Sequence, residues 1–289
     1  MPLTRRQVTE LLDAHGLRPR RALGQNFVVD PNTVRRIARL AAVGPGSRVL
    51  EIGAGLGSLT LALADAGAHV VALEVDAALA AVLRQQVEGR DVTVVEADAT
   101  TVDWERLLGA QAPSPPAPQG DMARWDVVAN LPYNVAVPIV ARLLDEAPSV
   151  ASMLVMVQRE VGARLVAGPG SKDYGAVSVK VAYHARAALA GAVPASVFVP
   201  RPNVDSVLVR LERRAAVAVD PALVAPERLF AVVRAGFAQR RKMLRRSLEG
   251  VVAPGAFEVA GIDPRDRAER LSVQDWGRLA ACAAAGGAP

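Results

Sequence analysis

Val49-Leu50-Glu51-Ile52-Gly53-Ala54-Gly55-Leu56-Gly57 is the stretch whose reading decides the fold. A mostly apolar run of strand character enters a glycine-rich turn, and residues 59–66 then carry a helical composition. A strand passing straight into a helix through glycines is how open α/β sheets build a nucleotide-type site. A dinucleotide site places glycine at the first, third and sixth positions, for close approach of a pyrophosphate to the helix N-terminus. Here the sixth position is Ser58, and the third glycine has moved to Gly57. Taken alone, such a turn is about as often a plain strand–helix junction.

Outward from the turn, strands and helices alternate. Strands are expected at 48–52, 69–74, 92–96, 125–129 and 152–157, with helices at 59–66, 77–88 and 135–146. This rhythm predicts an α/β fold, a parallel sheet with helices on both faces. Later strands fall near 186–193 and 205–211. The last of them follows no long crossover, which predicts an antiparallel strand. A Pro-rich segment, 112–120, breaks the rhythm and is expected to be a disordered surface loop. Upstream, 4–15 reads as a capped helix, and Asp30-Pro31 has the N-cap and N1 chemistry of another. Composition shifts after Glu212: a linker over 213–226 precedes helical patterns at 227–238, 241–249, 256–260 and 272–284. Two domains are expected, a sheet-bearing one over 1–212 and a small α-helical one over 213–289.

The E-x-G-x-G-x-G spacing suits S-adenosylmethionine (SAM), a nucleoside cofactor with no phosphate to cradle. Glu74 ends the second strand, where a carboxylate can accept both ribose hydroxyls. Asp98 follows the third strand, placed to accept from an adenine amine. Either acid alone is more often a helix cap or a solvated loop residue. Both at strand ends beside a glycine turn point to one pocket.

After the fourth strand comes Asn130-Leu131-Pro132-Tyr133. Pro132 has no N–H for a ladder and fixes its own φ, so the chain must turn there. The tetrapeptide brings an amide, backbone carbonyls and an aromatic face together. Asn130 Oδ1 and a backbone carbonyl can each accept one hydrogen of an exocyclic amine, while Tyr133 stacks on the base. Seen alone, these four residues are more often a turn with an Asx cap and a core tyrosine; the upstream pocket reverses that balance. Phe198 offers a second wall for the base, or equally a core aromatic.

Composition sets the outer limits. A 51% hydrophobic, 22% charged chain of 289 residues folds around an ample core. No apolar run reaches the roughly 18 residues of a membrane span, and the N-terminus lacks the apolar core of a signal peptide. Cys282 is the only cysteine and the histidines are scattered at 15, 69 and 184, which excludes a disulfide framework and predicts no metal site. A cytoplasmic monomer is expected. The net charge of +5 favours an anionic partner. Cations cluster at Arg18, Arg20 and Arg21, and from Arg234 to Arg246 with no acid between. If that second run is one helix, Arg234, Arg241 and Arg245 share a face flanked by Lys242, an electrostatic footprint for RNA phosphates.

The order of these motifs resembles the ribosomal RNA adenine dimethyltransferase family, most closely its bacterial small-subunit members. The resemblance covers nearly the whole chain. It runs through Gly24-Gln25-Asn26-Phe27, the glycine turn, Glu74, Asp98, Asn130 to Asn134, Gln158-Arg159-Glu160-Val161 and Phe198-Val199-Pro200-Arg201-Pro202-Asn203. Phe237 to Lys242 and Gly261-Ile262-Asp263-Pro264 continue it. It implies a seven-stranded Rossmann-like sheet whose last strand is antiparallel. It also implies SAM held by Asn26, the backbone at Val28 and Gly53, Glu74, Asp98 and Asn130, with Asn130, Leu131, Pro132 and Tyr133 at the reacting centre. The implied reaction is dimethylation of two adjacent adenosines in a hairpin loop near the 3′ end of 16S rRNA, within the small ribosomal subunit and late in its biogenesis. Competing readings are a 23S rRNA adenine methyltransferase of the macrolide-resistance type, a DNA adenine methyltransferase and a largely non-catalytic assembly factor. The 239–242 and 261–264 segments favour the small-subunit enzyme.

Overall fold

The computed structural model describes residues 1–20, 23–111 and 124–285, so Arg21 and the Pro-rich segment lie outside the described residues. The chain opens with α1 (Arg5–Ala14), β1 (Phe27–Val28) and α2 (Pro31–Ala41). Then come β2 (Arg48–Ile52), α3 (Ser58–Asp65), β3 (His69–Glu74), α4 (Ala77–Gln86), β4 (Val92–Glu96) and α5 (Trp104–Ala110). β5 (Trp125–Asn130), α6 (Ala136–Glu146), β6 (Val150–Gln158), α7 (Arg159–Val166) and α8 (Ala176–His184) follow. β7 (Ala185–Val193), β8 (Phe198–Val199) and β9 (Ser206–Arg213) precede α9 (Pro226–Ala238), α10 (Leu244–Ser247), α11 (Pro254–Ala260) and α12 (Val273–Ala285).

Among the described residues one sheet holds seven strands in the order β4-β3-β2-β5-β6-β9-β7. β2 pairs in parallel with both β3 and β5, β5 with β6, and β9 runs antiparallel to β6 as its lack of a crossover predicts. Central strands buried on both faces need continuous apolar runs rather than alternation. Val70 to Leu73 and Val127 to Ala129 meet this, each at most 1% exposed. The chain winds outward from β2 to β4 and then returns to β5 on the other side of β2. The carboxyl ends of β2 and β5 therefore lie side by side where winding reverses, which is where open sheets bind ligands.

Helix starts are set by side-chain caps. Thr4 and Gln7 form a capping box on α1. Asp30 accepts from Asn32 N–H and Thr33 N–H ahead of Pro31, and Asp76 caps α4. The antiparallel pair β1–β8, joining Phe27 to Val199 and Val28 to Phe198, is not foreseen from sequence. Two-residue strands have no period to read.

By compactness the chain forms two units, 1–162 with 188–212, and 163–187 with 213–289. The composition shift alone groups 163–187 with the sheet. Its Tyr174, Val179 and Tyr183 are instead buried in the helical unit's own core with Phe230 and Trp276. The helix expected over 241–249 is also corrected: α9 stops at Ala238, and α10 holds only Leu244–Ser247. Met243 bridges to Arg267, Leu244 N–H donates to Asp266 O at 2.7 Å, and Arg245 N–H to Pro264 O at 3.0 Å. A neighbouring segment takes the amides that a continuous helix would turn inward. Arg234, Arg241 and Arg245 therefore do not share one helix face. Among the described residues no helix is long and apolar enough to cross a membrane, and no cluster of His, Cys, Asp and Glu is arranged to hold a metal ion.

Candidate active site

The glycine turn hangs on the end of β3. Gly53 and Ala54 N–H both donate to Leu73 O, at 2.8 and 3.2 Å. Glu74 lies beneath the turn, 4% exposed. Its Oε2 accepts Gly55 N–H at 2.8 Å, and its Oε1 accepts Val75 N–H and Asp76 N–H at 3.1 and 3.0 Å. Burial pushes its pKa up, and those amides act the other way. A carboxylate has about four lone-pair sites, so one is left for a ribose hydroxyl. Gly55 has φ +57°, and a Cβ there would sit 2.9 Å from the Phe27 ring, so any side chain would close the turn against the N-terminal arm.

Two cavities meet at this turn. Asn26, Val28, Gly53 and Asn130 line one, with Glu51 and Gly55. Gly53, Asp98 and Pro132 line the other, a cavity of about 170 Å³ bordered also by Leu23 and Val75. Asp98 is exposed. The Thr100 hydroxyl and N–H, both bonded to its Oδ1 at 2.7 Å, hold its pKa below the usual carboxylate value. It is ionised at neutral pH, with Oδ2 open to accept.

Asn130 ends β5 beside the turn. Its Nδ2 donates to Asn26 O at 3.0 Å, across 104 positions of sequence. That bond fixes the amide, and Oδ1 is left buried without a hydrogen-bond partner. A buried acceptor left unmade costs roughly 1–3 kcal/mol, so it is an atom awaiting a donor. Leu131 is buried and ties the loop to β6 through its N–H on Met156 O. Pro132 O accepts Val135 N–H, which closes the turn. Tyr133 is half-buried, and its hydroxyl shares a 2.7 Å hydrogen bond with Ser206 Oγ. Its ring borders an open cleft of about 580 Å³ with Asn26, Gln158, Arg201 and Asn203. Gly24 packs against this loop, and a Cβ on it would lie 2.8 Å from Asn134 Oδ1 and 3.2 Å from Pro132 Cβ. Phe198 is 0% exposed and packed in the core. Its reading as a wall for the base is thereby corrected, since pairing with Val28 turns it inward.

Two residues escape the sequence reading. Glu51, 2% exposed, has an unpartnered Oε2 facing the cavity of Asn26 and Asn130. Burial drives its pKa up to about 8, with nearby Glu74 adding to the rise and Thr60 opposing it. Its signal was in plain view, as an acid in an apolar strand directly before the glycines. Arg142 carries no such signal. From α6 it donates to Ala99 O at 3.1 Å and Val102 O at 2.7 Å while lying over the Trp104 ring. It thereby braces the loop that carries Asp98. A lysine cannot supply this planar fork. Arg142→Lys is expected to weaken SAM binding roughly tenfold, the value of one or two such bonds, with turnover at saturating SAM unchanged. Calorimetric titration checks this; unaltered affinity would leave Arg142 as packing for Trp104 only.

The cations Arg234, Arg241, Lys242 and Arg245 are exposed in the helical unit, and none of them forms an ion pair among the described residues. Arg240, by contrast, is held by Glu269 at 3.0 Å and by Lys172 O.

The chain is similar to known proteins over almost its full length. A family model described as "Ribosomal RNA adenine dimethylase" matches residues 16–285. A "Ribosomal RNA small subunit methyltransferase A" of Leifsonia xyli subsp. xyli is 47% identical over 287 residues, covering 95% of this chain and 96% of its own. The protein of that name from Thermobifida fusca is 47% identical over 289 residues, 96% and 95% of the two chains. Among solved structures, the 23S rRNA methyltransferase ErmE superposes with a TM-score of 0.65 at 27% identity, over 89% of this chain and 99% of its own. A dimethyladenosine transferase from Plasmodium falciparum shares the fold, with a TM-score of 0.68 at 23% identity over 86% and 94%.

Proposed function

This chain belongs to the ribosomal RNA adenine dimethylase family, and from that premise we propose that it methylates the exocyclic amine of adenosines in small-subunit rRNA. It is a SAM-dependent enzyme. The resemblance of its motifs extends the proposal to two adjacent adenosines in a hairpin loop near the 3′ end of 16S rRNA, modified within the assembling subunit by a cytoplasmic monomer. Relatives at 47% identity named for the small subunit outweigh a 23S enzyme at 27%.

The donor set fits the cofactor. The backbone at Gly53 and Gly55 leaves space that a side chain would fill. Glu74 keeps one lone-pair site for a ribose hydroxyl, and Asp98 keeps Oδ2 for an adenine amine. Asn26 and the backbone at Val28 complete the cavity, and Glu51 places a titratable carboxyl in it. When bound, SAM supplies an electrophilic methyl group on a sulfonium.

The observation that carries the proposal is the unpartnered Oδ1 of Asn130 beside Tyr133. That oxygen accepts one hydrogen of the target amine, and a loop carbonyl accepts the other. Together they favour a pyramidal nitrogen whose lone pair is no longer shared with the ring. Tyr133, steadied by Ser206, offers its face to the extruded base; flipping a looped base costs at most a few kcal/mol. Fixing the amine against the methyl contributes roughly 7–11 kcal/mol through orientation. No general base is needed, because the amine proton becomes acidic only after alkylation. Labelled SAM offered with undermethylated small subunits, large subunits and DNA tests the proposal. Label on small-subunit adenosine is expected, and label confined to large subunits or DNA would refute it.

In this reading Arg234, Arg241, Lys242 and Arg245 dock the enzyme on rRNA phosphates, which positions it without reading bases. Replacing Arg241, Lys242 and Arg245 with Ala is expected to weaken subunit binding. The salt-dependence slope should flatten by up to roughly 0.7–0.9 for each lost contact, with SAM affinity unchanged. A variant matching the parent in affinity and slope would make the run a solvated surface.

A further inference from the structure

A second cleft, of about 530 Å³, lies between α2 and the later turns of α3. Its lining shares no residue with the two cavities at the glycine turn. Ala38, Val43, Ala62 and Ala66 give it an aliphatic floor, while Arg35 and Arg39 stand on its rim. The two arginines are exposed and sit four residues apart on α2, which places their Cβ atoms about 5–6 Å from each other. Like charges in that arrangement destabilise a helix, and α2 carries no acid between Pro31 and Ala41 to relieve them.

No carboxylate among the described residues closes an ion pair with either of them. Asp65 is the one carboxylate among the lining residues. It is already taken by Arg90 at 2.5 Å and by the N-terminal ammonium at 3.1 Å. Arg35 donates to the neutral Asn32 Oδ1 at 3.4 Å and feels the Asp30 carboxylate at the start of α2, but forms no ion pair with it. Arg39 has no hydrogen bond or ion pair among the described residues. One explanation for Arg39 is internal, since it lies in the last turn of α2, where a cation complements the helix dipole. That does not cover Arg35, which lies one turn earlier beside it, nor the open cleft between them and α3.

We propose that this cleft is a second rRNA contact, in which Arg35 and Arg39 hold successive phosphates of a looped or single-stranded segment and the aliphatic floor receives its sugars. The assignment rests on the rRNA reading above and adds to it a surface separate from the cavities assigned to the cofactor. Charge complementarity selects the occupant: unpaired guanidiniums at short spacing suit a polyanion, and guanidinium forks match phosphate geometry. An enzyme gripping RNA at this cleft as well as at its target loop recognises a fold of RNA, not only the loop it modifies.

The test is Arg35→Ala/Arg39→Ala in the full chain, with Arg35→Lys/Arg39→Lys beside it. Undermethylated small subunits and protein-free 16S rRNA serve as probes across a salt series. Losing two phosphate contacts is expected to reduce the salt slope by roughly 1.4–1.8. The affinity lost between 50 and 200 mM salt then shrinks about tenfold. KM for subunits rises, kcat, SAM affinity and melting temperature stay at parental values, and the lysine pair restores most of the binding. Parental affinity and slope in a double variant that melts normally would overturn the proposal. So would a loss on subunits with none on protein-free rRNA, which assigns the cleft to an acidic protein segment. A parent chain that transfers no methyl to subunits removes the functional reading and this assignment together; an active parent with an unaffected double variant removes this assignment alone.

Discussion

Asn130→Ala abolishes most methyl transfer, by on the order of 10²–10³-fold in kcat, the usual cost of losing a preorganised group at a reacting centre. The variant deletes the unpartnered Oδ1 and also the Nδ2 bond to Asn26 O. A companion variant separates these losses. Asn130→Asp keeps an acceptor but loses the donor to Asn26, so it is expected to retain more activity than the alanine variant if acceptance from the amine is what matters. Leu131 N–H on Met156 O and Pro132 O on Val135 N–H hold the loop without the Asn130 side chain, so the melting temperature should move by only a few degrees. Single-turnover methylation with SAM in excess is the measurement. Near-parental kcat in a folded Asn130→Ala variant would falsify the amine-activation mechanism.

Glu51→Gln is expected to alter the pH dependence of stability. The folded pKa of Glu51, about 8 against 4.5 for an ordinary carboxyl, means that the folded chain holds this proton more tightly than the unfolded one. The sign follows from linkage: stability is complete below about pH 4.5 and falls as pH rises toward 8. At about 1.4 kcal/mol per pH unit, the loss has a ceiling of roughly 5 kcal/mol. Glutamine mimics the neutral acid and has nothing to lose. At pH 8.5 the variant should therefore be more stable than the parent by up to a few kcal/mol, and at pH 5 the two should coincide. Cationic SAM favours the ionised carboxyl, so cofactor binding near neutral pH is expected to release a proton from the parent and none from Glu51→Gln. Denaturant melts across pH and calorimetry in buffers of different ionisation enthalpy provide the readouts. Parallel stability curves would show that Glu51 is already ionised in the free protein.

Much of the fold is legible because its signals are local. The apolar runs of β2, β3 and β5 are long enough to identify strands, and the glycines of the turn follow directly in sequence. Asp98 and Asn130 were nameable because each comes at the end of such a run. The rest depends on distant partners. That Glu74 spends most of its acceptors on backbone amides follows from the path of the turn above it, and composition does not encode that path. Arg142 acts through carbonyls of a loop some forty positions upstream. The helix expected over 241–249 shrinks to Leu244–Ser247 for a reason its own sequence does not carry, since Asp266 O and Pro264 O take the amides of Leu244 and Arg245. Phe198 was ambiguous for a similar reason, since its burial follows from pairing with Val28.

The clasp between the N-terminal arm and the later chain bears on how the protein is made. Asn26 meets Asn130, Phe27 and Val28 pair with Val199 and Phe198, and Arg5 donates to Ser196 O, 191 positions further on. At 5–20 residues per second, a ribosome needs about ten seconds or more to deliver those partners. During that interval the arm has emerged but has nothing to close upon. The cofactor cavity cannot take its final shape until some two-thirds of the polypeptide has left the exit tunnel. A nascent chain halted before Phe198 should hold much of the parallel sheet and bind SAM poorly. Cofactor binding would then mark late maturation of the enzyme itself.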